Sequence, residues 1–250
     1  MNVISFINQK GGVGKTTTCL NVGACLANHG YEVLLIDMDP QGALTTSAGI
    51  DSGDLDTLTE VLRGDADVND VIVKHSNYGI IPTDVRQAGE IVRFLREVGA
   101  EKLLYLRVIK KLKKKYDYVL IDCPPDLNLF TLMGLTASNG IVIPIQAQFL
   151  ALNGLTQILS TYELVKERLN SKLEIVGYLV TMSDSRKTLD RQVYSSIEKS
   201  YPDKIFKTVI SNNVALAEAP AYGKDIFEYD PKAKGARQYE ALTKEIIERT

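Results

Sequence analysis

The sequence has little of what redox and metal centres are built from: three cysteines (Cys19, Cys25, Cys123) and two histidines (His29, His75) in 250 residues. No two cysteines form a Cys-x-x-Cys pair, and the histidines lie far in sequence from two of the three thiols. A metal or iron–sulfur site within one chain is therefore not expected. An odd number of cysteines without a signal peptide fits a reducing compartment, where buried thiols act as small hydrophobes. Neither charge is in surplus, since 29 Lys and Arg stand against 31 Asp and Glu. Any nucleic-acid binding then falls to a local basic patch. No apolar run approaches the roughly 20 residues of a membrane helix. Met1–Asn8 has no basic n-region and reads as a strand rather than a targeting segment. These absences predict a soluble, cytoplasmic protein. The chain has no internal repeat, no low-complexity tract and no linker rich in Pro, Gly or Ser. At 45% hydrophobic residues, it is expected to form one domain over 1–250.

What is present is an alternation of short β-branched runs with longer segments of helical period, the pattern of a doubly wound, mostly parallel α/β sheet covered by helices on both faces. Strands are predicted at Val3–Asn8, Val33–Asp37, Tyr78–Pro82, Tyr118–Asp122, Gly140–Ile145, Glu174–Thr181 and Ile205–Ile210. Helices are predicted at Lys15–Asn28, Val85–Leu95, Leu103–Lys115, Leu127–Ala137, Ala151–Leu169, Leu189–Lys199 and Ala236–Glu248. One charge run, Lys110, Lys111, Lys113, Lys114 and Lys115, falls at a predicted helix end, where cations interact favourably with the helix dipole. Asn8, Asp37 and Asp122 close predicted strands, where open α/β sheets place their ligands.

The first strand runs into Gln9-Lys10-Gly11-Gly12-Val13-Gly14-Lys15-Thr16-Thr17, and a helical pattern begins at once. Three glycines let backbone N–H groups converge on phosphate oxygens, and the new helix turns its positive end toward the same anion. In that context Lys15 would reach the terminal phosphates, and the Thr16 hydroxyl would ligate magnesium. Asp122 follows the apolar run Tyr118–Ile121 and takes the position of the acidic residue that holds the metal.

The loop departs from the common phosphate-loop pattern, with Gln9 where a glycine would stand and an additional lysine at Lys10. Lys-Gly-Gly-Val-Gly-Lys-Thr-Thr is the deviant Walker signature, and the chain resembles the ParA/MinD group of P-loop ATPases, most of all ParA/Soj. The resemblance continues through Asp37-Met-Asp39-Pro-Gln41, Asp122-Cys-Pro-Pro125, Pro144-Ile-Gln146, Thr181 to Arg186, and Asn213 to Ala236. It implies an ATP- and Mg2+-dependent ATPase with Lys10, Gly11, Gly12, Val13, Gly14, Lys15, Thr16 and Thr17 on the nucleotide. Lys10 would cross a dimer interface, Asp39 would orient the attacking water, and Asp37 would support the Mg2+ held by Thr16 and Asp122. The adenine would lie near Met182 and Asn213.

The same resemblance implies a homodimer with ATP that binds double-stranded DNA non-specifically, associates with the nucleoid and is released by a ParB-type partner. Arg186, Lys187, Lys232 and Lys234 match basic positions of relatives. This chain departs from the family at Asp126, where serine is usual, and at Asn212 and Ala215, where arginines are common. MinD-like relatives end in a basic amphipathic helix. The mixed-charge end Glu240–Thr250 gives no reason to expect stable membrane association. A reductase like the nitrogenase iron protein would need a second cysteine placed like Cys123. A ParA-like ATPase that positions a protein assembly without binding DNA is the alternative. With Met1 opening directly onto the phosphate-loop strand, no helix-turn-helix is expected.

Overall fold

The computed structural model describes residues 1–97, 100–148, 151–184 and 186–250. Its strands are β1 (Asn2–Phe6), β2 (Val33–Asp37), β3 (Val73–His75), β4 (Tyr78–Ile81), β5 (Tyr118–Asp122), β6 (Gly140–Gln146) and β7 (Glu174–Thr181). They form one sheet in the order β3-β4-β2-β5-β1-β6-β7, parallel except for the β3/β4 hairpin at one edge. Alternation along the central strands builds the two faces. Leu34 and Ile36 of β2 belong to one apolar layer, and Val33 and Leu35 to the other. From β1 the chain crosses past β5 to β2, whereas from β5 it crosses past β1 to β6. The crevice beyond the ends of β1 and β5 is therefore a topological switch point, where such sheets bind ligands.

The helices are α1 (Lys15–Asn28), α2 (Ala43–Ser47), α3 (Leu58–Arg63), α4 (Ala88–Glu97), α5 (Leu129–Ala137), α6 (Ala151–Arg168), α7 (Thr188–Ser200), α8 (Val214–Glu218), α9 (Ile226–Tyr229) and α10 (Lys234–Arg249). Among the described residues none is long and apolar enough to cross a membrane. α1 lies against the sheet and α10, and Gly23 makes the close approach possible, because a Cβ there would stand 2.5 Å from Leu35 Cδ2. α3 begins with a full capping box, Thr57 accepting from Thr59 N while Glu60 accepts from Thr57 N.

Two expected elements are not regular. The expected strand Ile205–Ile210 makes one isolated bridge, Ile205 with Tyr178, and Ser211 just beyond it makes another with Ser183. Side chains of α10 take the backbone groups that a ladder would use. The Glu245 carboxylate accepts from Lys207 N and Thr208 N, both at 2.8 Å, and Gln238 Nε2 donates to Val209 O at 2.7 Å. The expected helix Leu103–Lys115 is a wide turn at Leu104–Val108 followed by a tight one at Ile109–Lys111, with a further tight turn at Ala100–Lys102 just before it. The Asn69 side chain accepts from Lys113 N and donates to Lys111 O, replacing bonds that a continuing helix would supply. Lys113, Lys114 and Lys115 are therefore not at a helix end, and Lys113 and Lys114 pair with Asp67 and Glu32. Of the elements no pattern announced, β3 is an edge hairpin strand, and α2, α3, α8 and α9 are each six residues or fewer.

Candidate nucleotide site

The loop between β1 and α1 is wound by two left-handed glycines, Gly12 (φ 71°) and Gly14 (φ 86°), a conformation that an L side chain would strain. Gly14 is the N-cap of α1 and offers no capping side chain, so the first N–H groups of the helix face outward from the loop. Gly11 passes Pro125, and the buried Val13 anchors the loop by accepting from Thr181 Oγ1 at 2.8 Å. The Thr17 backbone carbonyl accepts from Asn21 Nδ2. Lys15 is 6% exposed and bends back over the loop, its Nζ 3.4 Å from Lys10 O. Burial lowers its pKa, opposed by the charges of Asp122, Cys123, Asp39 and Asp126. Asp126, the departure in sequence, thus adds negative potential at Lys15.

Sheet register sets the acids. Asp37 of β2 and Asp122 of β5 are direct partners across neighbouring strands, and both are fully buried. Asp122 Oδ2 accepts from Thr16 Oγ1 at 2.7 Å, while its Oδ1 is buried without any hydrogen-bond partner. Burial, then the charge of Asp37, holds Asp122 well above the usual carboxylate range. A buried, half-satisfied carboxylate beside a second carboxylate calls for a cation. The donor set of one threonine hydroxyl and oxygen-only acids suits Mg2+, which takes few protein ligands and keeps its waters. Thr16 and Asp122 would hold it. Asp37 is engaged differently, because Oδ2 accepts from Thr45 N (2.8 Å) and Thr45 Oγ1 (2.7 Å), and Oδ1 accepts from Asp39 N (3.1 Å). Burial pushes Asp37 up to about 7. Thr83 ties the same segment down, with Oγ1 donating to Asp37 O and N–H donating to Thr45 Oγ1. Asp39 itself is half-buried at the mouth of the crevice and accepts from Gln41 N.

Lys10 is exposed and turned along its own subunit, its Nζ donating to Gln146 Oε1 at 3.2 Å and to Gln148 Oε1. Met182 and Asn213 come together across a hollow of about 170 Å³ that Gly14, Thr17 and Tyr239 also line. Met182 is left-handed (φ 51°), which is rare for a non-glycine residue and marks a constrained position. Gln148, Thr45, Thr83 and Tyr239 were not singled out from sequence. Their roles arise from contacts more than 30 residues apart for Thr83 with Thr45, and 221 apart for Tyr239 with Thr18.

The basic candidates divide. Arg186 and Lys234 line one hollow of about 360 Å³ with Ser183, Ser211, Asn212 and Gln238, whereas Lys187 and Lys232 are exposed outside it. Arg186 forks onto Asp184 at 2.9 and 2.8 Å, holding that carboxyl below its ordinary range. Ala215 packs against the apolar layer under α10. Ser185, within the Thr181 to Arg186 segment, lies outside the described residues.

A family model described as an AAA domain matches residues 1–175. The sporulation initiation inhibitor protein Soj of Bacillus subtilis (strain 168) is 46% identical over 247 residues, covering 98% of this chain and 97% of that protein. The chromosome partitioning protein ParA of Caulobacter vibrioides (strain NA1000 / CB15N) is 41% identical over 254 residues, covering 100% of this chain and 95% of its own. Among solved structures, cobyrinic acid a,c-diamide synthase from Mycobacterium smegmatis with bound ADP and magnesium superposes with a TM-score of 0.83 at 35% identity, covering 97% of this chain and 92% of that one. With a phosphate loop, paired strand-end aspartates and full-length likeness of this kind, the chain belongs to the ParA/Soj family of P-loop ATPases.

Proposed function

We propose that the chain, as one ATPase unit over 1–250, is a nucleotide-driven dimerisation switch whose ATP-bound homodimer binds double-stranded DNA without sequence preference and is released when a ParB-type partner stimulates hydrolysis. The observation that carries the nucleotide part is the orphaned Asp122 Oδ1 beside Thr16, at the foot of the loop that Lys15 overhangs. Bound Mg2+ would supply charge neutralisation on the terminal phosphates. The loop N–H groups and the start of α1 would bind the phosphates, and Lys15 would offset charge as it gathers on the leaving oxygens. Asp39 would orient a water for attack while Asp37, held by Thr45 and Thr83, fixes the segment that carries it. Met182 and Asn213 would receive the adenine in the hollow beside Gly14. Lys10, on release from Gln146 and Gln148, would act on the partner's nucleotide as a cation supplied in trans.

The DNA part rests on the likeness to named partitioning proteins and on the Arg186–Lys234 hollow, with Lys187 and Lys232 at its surroundings. Two copies of a modest patch on one face of a dimer raise affinity steeply, because each phosphate neutralised multiplies the binding constant. The alternative, an ATPase that positions a protein assembly without DNA, draws on the neutralised Arg186 and on Asn212 in the hollow. Sedimentation and gel shifts on unrelated duplexes across a salt series, with ATP or ADP, separate the readings. The expected result is an ATP-dependent dimer whose DNA binding falls sharply with salt, and which Lys10→Ala does not form. An ATP dimer that ignores DNA at low salt selects the alternative, and an ATP-loaded monomer rejects both.

A further inference from the structure

At the far end of α1 from the phosphate loop, about 15 Å along the helix from Lys15, Cys25 and His29 stand one turn apart and face Glu240 of α10. Cys25 Sγ donates to Glu240 Oε2 at 3.0 Å, and His29 Nε2 lies 3.0 Å from Glu240 Oε1. Among the described residues this is the group of three His, Cys, Asp or Glu side chains whose ligand atoms gather within 4.8 Å of one another. We propose that Cys25, His29 and Glu240 form a zinc-class transition-metal site that clamps α1 to α10, with its fourth position open to water.

The donor chemistry is mixed in the way that favours such a metal: one sulfur, one imidazole and one carboxylate, a set that magnesium does not seek. Tetrahedral zinc, with bonds of about 2.0–2.3 Å, sets its donors about 3.5 Å apart, a spacing that lies between the 3.0 Å contacts of Cys25 and His29 with the two Glu240 oxygens and the 4.8 Å within which the ligand atoms gather. Access also fits, since the His29 and Glu240 side chains are 35% and 36% exposed while Cys25 closes the buried end. An independent sign lies behind the sulfur. Thr243 Oγ1 is fully buried without a hydrogen-bond partner, and it stands by Cys25, where it favours the thiolate. Burial, with Glu240 adding to it and Thr243 opposing, pushes the thiol up to about 12. A dication beside the sulfur reverses that balance, and the thiolate then gives Thr243 its acceptor. Without metal, Lys244 Nζ bonds Glu240 Oε1 at 3.1 Å and so competes for the carboxylate.

The i, i+4 pair Cys25 and His29 is visible in the sequence, whereas Glu240 joins it only through the packing of α10.

The test is a Co2+ titration of the full chain, stripped by chelator and kept in Mg2+ throughout, read by the thiolate-to-metal absorption band, with Zn2+ added last. The expected result is a saturable band at one metal per chain that Zn2+ displaces and that Cys25→Ser abolishes. His29→Ala, a change at an exposed position that leaves the core intact, weakens the affinity about tenfold or more, and Lys244→Ala tightens it. Zn2+ also raises the thermal midpoint of wild type, and raises that of His29→Ala by less at the same concentration. A wild type without a band, a band that survives in Cys25→Ser, or affinities indifferent to His29 overturn the proposal.

Discussion

The crevice at the ends of β1, β2 and β5 and the late surface around Arg186 and Lys234 differ in how their charges are held. In the crevice, Lys15, Asp37 and Asp122 are buried on strand ends or a helix start, and their bonds run to backbone and to threonines of other elements. On the late surface the cations are exposed, and Arg186 is paired with a neighbour two residues away. Buried charge is expensive unless it has a task, so the first region constrains its chemistry tightly. Solvated charge is cheap and can be spent on a local pair, so the second region constrains it weakly.

The largest expected effect falls in the crevice. Asp39→Ala should lower ATP turnover by about a hundredfold to a thousandfold while ATP affinity stays within a small factor, because orienting water matters chiefly in the transition state. Turnover and nucleotide-binding measurements on the same preparation check it, and normal hydrolysis by that variant removes Asp39 from the reaction. Lys15→Ala should instead weaken ATP itself by about 2 kcal/mol, roughly thirtyfold, as expected for loss of a charged hydrogen bond.

Thr45→Val sharpens the contrast without touching nucleotide. It deletes the hydroxyl that donates to Asp37 and leaves the Thr83 N–H without its acceptor, which should cost about 2 kcal/mol in urea denaturation. A loss near zero would mean that the crevice is no more tightly built than the surface. The smallest effect belongs to the late face. Asp184→Ala frees Arg186, so the ATP-bound protein should bind DNA a few-fold more tightly, with a salt slope steeper by about 1 per subunit. An unchanged slope in gel shifts would take Arg186 out of the DNA contact.

The same contrast explains what could be read in advance. Val33–Asp37, Tyr118–Asp122, Glu174–Thr181 and Lys15–Asn28 have the predicted bounds, because apolar runs and a glycine-rich start fix them locally. Segments 103–115 and 205–210 differ because Asn69, Gln238 and Glu245, distant in sequence, satisfy their backbones. The helices α8 and α9 are too short for periodicity and announce themselves only by their caps, Asn213 and Asp225. In the site, the phosphate loop and strand-end acids were legible from motif and position. The Gln146 and Gln148 contacts of Lys10 were not, since exposed side chains that meet from 136 and 138 residues apart leave no local pattern.

The bonds that close the nucleotide crevice span the chain: Thr16 with Asp122 over 106 residues, Val13 with Thr181 over 168, and Thr18 with Tyr239 over 221. During synthesis the phosphate loop emerges early, but at about 5–20 residues per second its most distant partner follows roughly 10–45 s later, and such non-local pairing makes this a slow topology to complete. A nascent chain that has not yet released α10 lacks Tyr239 on the wall of the hollow beside Gly14. On the proposed placement of adenine in that hollow, nucleotide capture would report that the late part of the polypeptide has docked, and ligand binding would double as a check on assembly.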